Sequence, residues 1–489
     1  MQHALPYVLA IATLLSAGSA RAQDLISVTP RDTLTSLEAS FRLQAFGLFP
    51  QYDVEIADVR YTMADIGGAI DTVSGAVARP LAPAGTAFPR LAYMHGTTAT
   101  KFDVPSRASE SAFEPTFLLA TQGYLTVGPD YLGMGEDEGF HPYVHARTEA
   151  LAGIRMLQAL ATDDTYAAAA NEQLFLTGYS QGGHASMAMH ELIVEEFSGE
   201  FGVTAAAHLS GPYSISTVMK DTVILRDSAF TSPAFLPYTV LGYMTAYPEL
   251  ERGLDDIFRA PYVALVERFR DEYEAGTYPL TELNEDLLRT YAEVEGDSAF
   301  FPGRYLDIDF FQTLRKDVDD PFNVRLREND VFDFENPDPT QLLYCRGDDQ
   351  VTYLNATVAL DSLLARGATA TTARNLGDDR DHFRCALPAF ANAARFFATF
   401  QEVTSATEIP GAGAWTYAQA EDGLRVYLDA EAGARYRLEL VDALGRVAAE
   451  VAHYTSGDFV ATAGLPAGLA VARITDDRGR AATRKLILR

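Results

Sequence analysis

The chain has little cysteine, little lysine and little positive charge. Of its 489 residues, two are Cys and four are Lys, and 38 Lys and Arg residues stand against 67 Asp and Glu residues. The formal net charge is -29. Because so large an excess of negative charge repels phosphate groups, we expect neither nucleic acid nor an anionic membrane surface as a partner.

The sequence also lacks a long apolar run beyond its first residues. A transmembrane helix needs about 20 consecutive apolar residues, so we predict no transmembrane segment. The first residues are typical of a secretory signal, because residues 7–15 are apolar and Ala20 and Ala22 are the small residues that signal peptidase requires. We expect residues 1–22 to be a signal peptide and the protein to be secreted or on the cell surface after export through the periplasm.

Groups of metal-ligating residues are scarce. Residues 317–320 and 378–381 are rich in Asp, which is typical of solvated loops, although a structural calcium ion is an alternative. His141 and His145 have helical spacing but no third ligand nearby in the sequence. We therefore predict no metal and no cofactor.

Apolar strands alternate with helical patterns over much of the chain. Continuous apolar runs without alternation indicate strands that are buried on both faces, as in a parallel sheet with a helical layer on each side. Residues 52–61 and 73–80 instead predict an antiparallel hairpin at one edge of that sheet. The predicted parallel strands are residues 91–94, 124–127, 174–177, 205–209, 341–345 and 369–376.

The sequence predicts a sheet domain over residues 23–403. Two regions depart from its alternating pattern, one within this domain and one after it. Residues from about 214 to 335 are rich in helical patterns and bulky side chains, and we interpret them as a lid inserted over the sheet. A separate helical domain is the alternative. Residues 404–415 predict a linker, and residues 416–489 predict a small all-β, sandwich-like module of short alternating strands.

The segment Gly178-Tyr179-Ser180-Gln181-Gly182 lies between a predicted strand and a predicted helix. G-x-S-x-G in that setting is typical of a nucleophile elbow, where the glycines allow strand and helix to cross closely and the serine hydroxyl projects outward. Ser180 is therefore the candidate nucleophile. The alternative is a glycine-rich turn with a solvated serine.

A serine nucleophile needs a histidine base and an acid that orients it. With an elbow of this kind, the chain order is Ser, then Asp or Glu, then His. Only His382 and His453 follow the predicted lid, and His453 lies in the β module. His382, predicted on a loop before the last helix of the sheet domain, is therefore the candidate base.

The acid is expected on the loop after the predicted strand 341–345, where Asp348 and Asp349 compete. Enzymes with a nucleophile elbow of this kind commonly place the catalytic acid three residues before an apolar residue that anchors the loop. Val351 then favours Asp348 as the catalytic acid. Asp349 is left as a solvated turn residue or a helix cap.

The two cysteines lie close in sequence to the candidate acid and base. Cys345 precedes Asp348 by three residues, and Cys385 follows His382 by three residues. If Asp348 contacts His382, the two sulfur atoms become neighbours, and an exported protein favours a disulfide between them. Two buried free thiols are the alternative.

An oxyanion hole needs backbone N–H groups that point at developing negative charge. The residue after the nucleophile, Gln181, supplies one at the start of a helix. The segment His95-Gly96-Thr97-Thr98 follows a predicted strand, and the N–H of Thr97 or of its neighbour is the candidate for the second.

On these residues the chain resembles the α/β-hydrolase superfamily and, within it, the secreted lipase and esterase-like group. The resemblance covers roughly residues 40–400 and is weakest in the lid. It implies hydrolysis of carboxylic esters without a cofactor, with a small-molecule or lipid ester as substrate. The residues that carry it are His95-Gly96, residues 129–135, His141-Pro142-Tyr143, residues 178–183, Asp348, Gln350-Val351 and His382.

The C-terminal residues resemble the sorting domain of type IX secretion cargo. Residues 438–447, 465–469 and 485–489 carry this resemblance, while Ala470 stands where such modules usually have Tyr or Thr. The resemblance implies the type IX secretion machinery as a partner. A carbohydrate-binding or Ig-like accessory domain is the alternative.

Three functions are therefore weighed. The leading hypothesis is a secreted serine esterase or lipase that uses Ser180, His382 and Asp348 and forms an acyl-enzyme. The second is a serine peptidase of the prolyl or tripeptidyl aminopeptidase kind, which needs an acidic group in the lid to hold the peptide amine. The third is a non-catalytic binding protein, against which the intact Ser, Asp and His argue.

Overall fold

The computed structural model describes the chain from residue 24 onward with gaps. The described ranges are 24–44, 47–83, 85–109, 114–225, 229–405, 416–420, 423–428, 435–441, 447–462, 468–475 and 481–488. The predicted signal peptide, residues 1–22, lies outside the described residues.

In the described ranges, ten strands form one large sheet. Their order is β1-β2-β3-β5-β4-β6-β7-β8-β9, and β10 pairs with the start of β4. The strands are β1 (Leu25–Leu34), β2 (Val54–Ala64), β3 (Ile70–Pro80), β4 (Thr86–Met94), β5 (Leu125–Pro129), β6 (Ala170–Tyr179), β7 (Ala205–Leu209), β8 (Thr340–Tyr344), β9 (Thr371–Asn375) and β10 (Thr404–Ser405).

The pairing confirms the mostly parallel sheet. Strands β5, β4, β6, β7, β8 and β9 are parallel neighbours in that order. The predicted hairpin is formed by β2 and β3, which pair antiparallel, and β3 joins the parallel part through β5. The sequence analysis did not predict β1, which pairs antiparallel with β2 and is the outermost strand.

Helices cover both faces of the sheet. Among the described residues, none of them is long and apolar enough to cross a membrane. They are α1 (Ser36–Leu43), α2 (Pro115–Ala120), α3 (Ala146–Leu160), α4 (Asp164–Ala169), α5 (Gln181–Leu192), α6 (Phe235–Ala246), α7 (Ala260–Glu272), α8 (Leu280–Glu295), α9 (Ile308–Lys316), α10 (Pro321–Glu328), α11 (Leu354–Ala365) and α12 (His382–Phe397), together with π-helical segments at Ile193–Phe197 and Ile215–Leu225.

The central strand β6 shows why the predicted strands are apolar without alternation. Successive side chains of a strand point to opposite faces of the sheet. Leu174 and Leu176 pack in the core shared with α3, α5 and α11, whereas Phe175 packs in the core shared with α12. The ring centroid of Phe175 lies 5.1 Å from that of Phe397 in α12. Because both faces are buried, both sets of positions are apolar.

The region predicted as a lid is helical and lies in the chain between β7 and β8. Helices α6, α7, α8, α9 and α10 share a hydrophobic core of their own, rich in Tyr and Phe. Tyr143 and Val144, from the segment before α3, also pack into that core. Their inclusion joins the inserted helices to the sheet domain.

The C-terminal part forms the small antiparallel module that the sequence predicts. It has a three-stranded sheet, β11-β12-β15, and a four-stranded sheet, β14-β13-β16-β17, and residues of both sheets share one apolar core. The strands are β11 (Thr416–Ala420), β12 (Gly423–Tyr427), β13 (Tyr436–Val441), β14 (Val447–Tyr454), β15 (Phe459–Ala461), β16 (Gly468–Thr475) and β17 (Ala481–Leu488).

The predicted linker begins differently from expectation. Thr404 and Ser405, its first two residues, form β10 and pair with Ala87 and Thr86 of β4. These two residues thus belong to the large sheet. The rest of the predicted linker, residues 406–415, lies outside the described residues.

Candidate active site

Ser180 occupies the sharp turn between β6 and α5. Its backbone has φ 61° and ψ -124°, a conformation that is unusual for a residue other than glycine. A Cβ added to Gly178 would lie 2.1 Å from the carbonyl oxygen of Gly182, and one added to Gly182 would lie 2.0 Å from that of Met94. No side chain fits at either position, which explains why glycine flanks the serine on both sides.

His382 joins Ser180 to Asp348. Its Nε2 lies 2.8 Å from Ser180 Oγ, and its Nδ1 lies 2.8 Å from Asp348 Oδ2. A carboxylate only accepts hydrogen bonds, so Nδ1 carries the proton and Nε2 accepts the hydroxyl of Ser180. The side chains of His382 and Asp348 are 4% and 1% exposed, which shields this hydrogen-bond chain from water.

The loop after β8 orients Asp348 toward the imidazole. Asp348 Oδ1 accepts hydrogen bonds from the backbone N–H groups of Gln350 at 3.0 Å and Val351 at 2.8 Å. These two bonds hold one carboxylate oxygen within the loop and leave the other for His382. Val351 is buried, so its side chain anchors the turn that places Asp348.

Asp349 does not reach the imidazole. Its Oδ1 accepts the backbone N–H of His382 at 3.1 Å, and its Oδ2 accepts the hydroxyl of Thr231 at 3.0 Å. His382 is the first residue of α12, not a loop residue as predicted, and Asp381 caps that helix by accepting the N–H of Arg384 at 2.8 Å. Asp349 therefore serves as a second cap, one of the two alternatives left for it.

The predicted disulfide joins Cys345 and Cys385. Cys345 directly follows β8, and Cys385 lies in the first turn of α12, three residues after His382. The bond spans 40 residues of sequence and ties the strand that precedes Asp348 to the helix that begins at His382. It thus holds together the two segments whose contact forms the acid–base pair.

The predicted oxyanion-hole residues both lie near the serine, since Gln181 directly follows Ser180 and Thr97 lines the same cavity as Ser180. Gln181 is the first residue of α5, where the backbone N–H has no intrahelical acceptor. The N–H of Thr97 has no acceptor among the described residues. A Cβ added to Gly96 would lie 3.8 Å from Ser180 Cβ, so the loop that carries Thr97 runs beside the serine.

His95 and Tyr131 support the loop that carries Thr97 through hydrogen bonds and ring stacking. The ring nitrogens of His95 lie 2.8 Å from the carbonyl oxygen of Gly96 and 3.1 Å from that of Asp130. The Tyr131 ring stacks on His95 at 4.1 Å between centroids, and its hydroxyl donates to the His95 carbonyl oxygen at 2.9 Å. Burial lowers the pKa of His95, which favours its neutral form.

Tyr143 connects the same loop to the inserted helices. Its hydroxyl lies 2.7 Å from Thr97 Oγ1, and its ring stacks on Tyr238 of α6 at 4.2 Å between centroids. The position of Thr97 thus depends on the packing of α6. The sequence analysis quoted Tyr131 and Tyr143 only as part of the family resemblance, and spacing alone gave no reason to assign them this support.

A buried carboxylate that the sequence analysis missed supports the helix after Ser180. Glu149 of α3 is fully buried, and its Oε1 accepts hydrogen bonds from the Gln181 side chain at 2.7 Å and from the Val144 N–H at 3.0 Å. Burial alone would raise the pKa of Glu149, but its contacts with His141 and His184 lower it to about 2. An acidic residue within an otherwise apolar, buried helix face was the available signal.

Ser180 and His382 open into a cavity of about 740 Å³ between the sheet domain and the inserted helices. One wall comes from α12, with Phe383, Leu387 and Phe390. The opposite wall comes from α6 and α8 and includes Phe235, Leu280 and Thr281. The inserted helices therefore bound the space into which Ser180 opens.

The two acidic stretches considered for calcium have other roles. Asp320 caps α10 by accepting the N–H of Phe322 at 2.9 Å, and Asp381 caps α12. Within the described ranges, no group of three or more His, Cys, Asp or Glu side chains is arranged to hold a metal ion.

Several solved structures are similar to this chain, whereas no family model and no curated protein matches its sequence. A candidate hydrolase from Legionella pneumophila has a TM-score of 0.66 and 26% identity, over 77% of this chain and 98% of that chain. The rice cell wall degrading esterase LipA from Xanthomonas oryzae has a TM-score of 0.65 and 24% identity, over 78% and 95%. Candida antarctica lipase A has a TM-score of 0.52 and 16% identity, over 75% and 78%.

These likenesses and the sheet topology confirm the predicted α/β-hydrolase fold. The chain spans most of the length of each of these three structures.

The roles of Asp348 and Asp349 predict different effects of the same substitution. Asp348→Asn removes the carboxylate that orients His382 and should slow the labelling of Ser180 by a fluorophosphonate by a factor on the order of 10³–10⁴. Asp349→Asn retains an oxygen that can cap α12, so labelling should stay within about threefold of wild type. Labelling rates from stopped time courses distinguish the two, and equal losses would contradict the assignment of Asp348.

The disulfide should contribute strongly to stability. Replacing both Cys345 and Cys385 with Ser opens a loop of 40 residues, which lowers the free energy of unfolding by about 4 kcal/mol in the chain-entropy account. Urea denaturation of the double variant measures this loss. Wild-type protein under reducing conditions is the matched control and should unfold at the same urea concentration. Two free thiols in unreduced, unfolded wild-type protein would show that the bond does not form.

Proposed function

We propose that this protein is a secreted serine hydrolase that cleaves carboxylic esters. The observation that carries the proposal is the hydrogen-bond chain from Ser180 through His382 to Asp348, with 2.8 Å at each step. It begins at a strained elbow and faces a cavity large enough for a substrate. The hydrolases, esterases and lipases among the similar structures support the same reading.

In the first half of the reaction, Ser180 Oγ attacks the ester carbonyl carbon while its proton passes to His382 Nε2. Asp348 stabilises the imidazolium that forms, because its Oδ2 accepts the Nδ1 proton. The tetrahedral intermediate then collapses, the bond to the alcohol oxygen breaks, and the alcohol leaves with the proton from His382. The acyl group remains bonded to Ser180 Oγ.

In the second half, His382 removes a proton from a water molecule, which attacks the acyl carbonyl carbon. The second tetrahedral intermediate releases the carboxylic acid, and the proton on His382 returns to Ser180. In both halves the carbonyl oxygen becomes negative. The N–H groups of Gln181 and Thr97 are proposed to stabilise it, and removing one such donor costs about 3 kcal/mol of transition-state stabilisation in comparable sites.

The cavity walls support an ester with an apolar part. Phe235 and Leu280 on the lid side face Phe383 and Phe390 on the side of α12. An acyl chain or an aryl group would bury its surface against these side chains, which favours binding by roughly 25 cal/mol per Å² of apolar surface removed from water.

A peptidase function is the second candidate, and one observation favours it. An aminopeptidase needs an acidic group on the lid side to hold the peptide amine, and Glu285 of α8 lines the cavity. A panel of aminoacyl and peptidyl p-nitroanilides beside p-nitrophenyl esters decides between the two functions by their kcat/KM values.

Replacing the proposed nucleophile tests the function directly. Ser180→Ala should lower kcat for p-nitrophenyl butyrate by a factor on the order of 10⁶, since the remaining residues cannot form the acyl-enzyme. Ser362→Ala, a serine of α11 that donates to Asp333, is the matched control and should retain wild-type activity. Turnover by Ser180→Ala at a wild-type rate would refute the proposal, and a wild-type protein that no fluorophosphonate labels would favour a binding protein.

We further propose that residues 1–22 direct export and that the C-terminal β module is a type IX sorting domain. The disulfide supports an oxidising destination. The paired antiparallel sheets of the module support a unit that is separate from the hydrolase sheet.

Deleting residues 416–489 tests the sorting role in a host that has the type IX system. We expect the truncated protein to accumulate in the periplasm with its esterase activity intact, because no described residue of the module lines the cavity. Fractionation with immunoblotting and an ester assay measure both properties. Secretion of the truncated protein at the wild-type level would contradict the assignment.

A further inference from the structure

The cavity at Ser180 is lined by side chains of one charge. Four carboxyl groups line it, those of Asp103, Glu114, Glu285 and Asp349, and its described lining contains no Lys or Arg. They come from separate parts of the chain: two precede the elbow, one lies on α8, and one lies beside the candidate acid. The acidic side chains of the cavity lining thus come from several separate segments of the chain.

These carboxyl groups differ from many others on the protein, because within the described part of the chain none of them forms an ion pair with Lys or Arg. Elsewhere, Glu196 pairs with Arg147 at 2.6 Å and Asp333 pairs with Arg366 at 2.5 Å. Among the described residues, none of the four cavity carboxylates has a Lys or Arg within ion-pair distance. The guanidinium that influences Glu114 most, that of Arg31, pairs with Asp58 at 2.8 Å.

The hydrogen-bond partners of these groups are neutral. Asp103 accepts the N–H of Thr100 at 2.9 Å, and Glu114 accepts the N–H of Thr116 at 3.0 Å. Asp349 accepts from Thr231 and from the backbone of His382. Such donors hold the carboxyl groups in place. Burial raises the pKa of Glu114 to about 7, so this group is partly ionised at neutral pH and mostly ionised at pH 8. The exposed carboxylates of Asp103, Glu285 and Asp349 keep the net charge of the cavity negative.

Aromatic rings line the same space. Phe235, Phe383, Phe390 and Tyr93 all face the cavity, and Phe383 is 77% exposed beside the candidate base. The faces of aromatic rings attract ammonium groups, more strongly where water is excluded. Carboxylates and ring faces in one cavity favour the same kind of ligand, which is an alkylammonium ion.

We propose that this cavity selects esters that carry a positively charged ammonium group and disfavours esters that carry a second, ionised carboxylate. This inference rests on the proposed esterase function and adds the charge class of its substrate. A cleft lined by charge of one sign raises the local concentration of counter-ions by roughly tenfold or more. The same field lowers the concentration of anionic esters near Ser180.

Two pairs of nearly isosteric esters test the inference at pH 8 with a pH-stat or by nitrophenol release. Butyrylcholine is compared with 3,3-dimethylbutyl butyrate, in which carbon replaces the charged nitrogen. Mono-p-nitrophenyl glutarate is compared with p-nitrophenyl valerate. At low ionic strength we expect kcat/KM to be about tenfold higher for the cation and about tenfold lower for the anion than for the neutral partner.

A measurement at high salt and a pair of variants test whether the charge preference arises from the cavity. Molar NaCl shortens the Debye length to about 3 Å, so both ratios should move toward one. Glu285→Gln should lower the preference for butyrylcholine over its neutral partner by about threefold. Glu293→Gln removes the same charge from the same helix outside the cavity and should leave that preference unchanged.

The outcomes separate this inference from the function on which it rests. One outcome is that the neutral esters are hydrolysed only when Ser180 is present, while both ratios of kcat/KM, charged ester to neutral ester, stay within twofold of one. In that case the proposed charge selectivity is wrong and the esterase function stands. The same conclusion follows if Glu285→Gln and Glu293→Gln change the ratio equally. If no ester is hydrolysed faster by wild type than by Ser180→Ala, both the function and the selectivity are wrong.

Discussion

The hydrogen bond between Asp348 and His382 is the contact on which the rest of the candidate active site depends. It joins the loop after β8 to the start of α12, and the Cys345–Cys385 disulfide links the same two segments. Asp349 adds a third link by capping α12 through the His382 N–H. With the imidazole held in this way, its Nε2 lies 2.8 Å from Ser180 Oγ.

Buried polar groups support the part of the site that contains Gln181 and Thr97. Glu149 anchors the Gln181 side chain, and His95 and Tyr131 hold the loop that carries Thr97. Buried polar groups of this kind are stabilising only when they are hydrogen-bonded, so each also restricts the backbone that it contacts. Because the Glu149 network includes His184, which contacts the Asn329 carbonyl oxygen after α10, it also connects the elbow to the inserted helices.

The inserted helices therefore have two effects on the candidate site. Through Tyr143 and Tyr238 they support the loop of Thr97, and through α6 and α8 they form one wall of the cavity. They also carry Glu285, so part of the negative charge of the cavity comes from this region. The acidic composition of the whole chain does not by itself produce such a cavity, since carboxylates elsewhere pair with Arg side chains.

The sequence by itself determined the parallel sheet and the turn at Ser180, and it predicted His382 as the candidate base, because these follow from local periodicity, glycine spacing and chain order. It also favoured Asp348, because the turn that anchors Val351 is local. Only the tertiary structure decided that Asp349 caps a helix, that His382 begins α12, and that Glu149, Tyr131 and Tyr143 support the site. Those roles depend on contacts between residues far apart in the chain, and local sequence patterns do not show which distant residues come into contact.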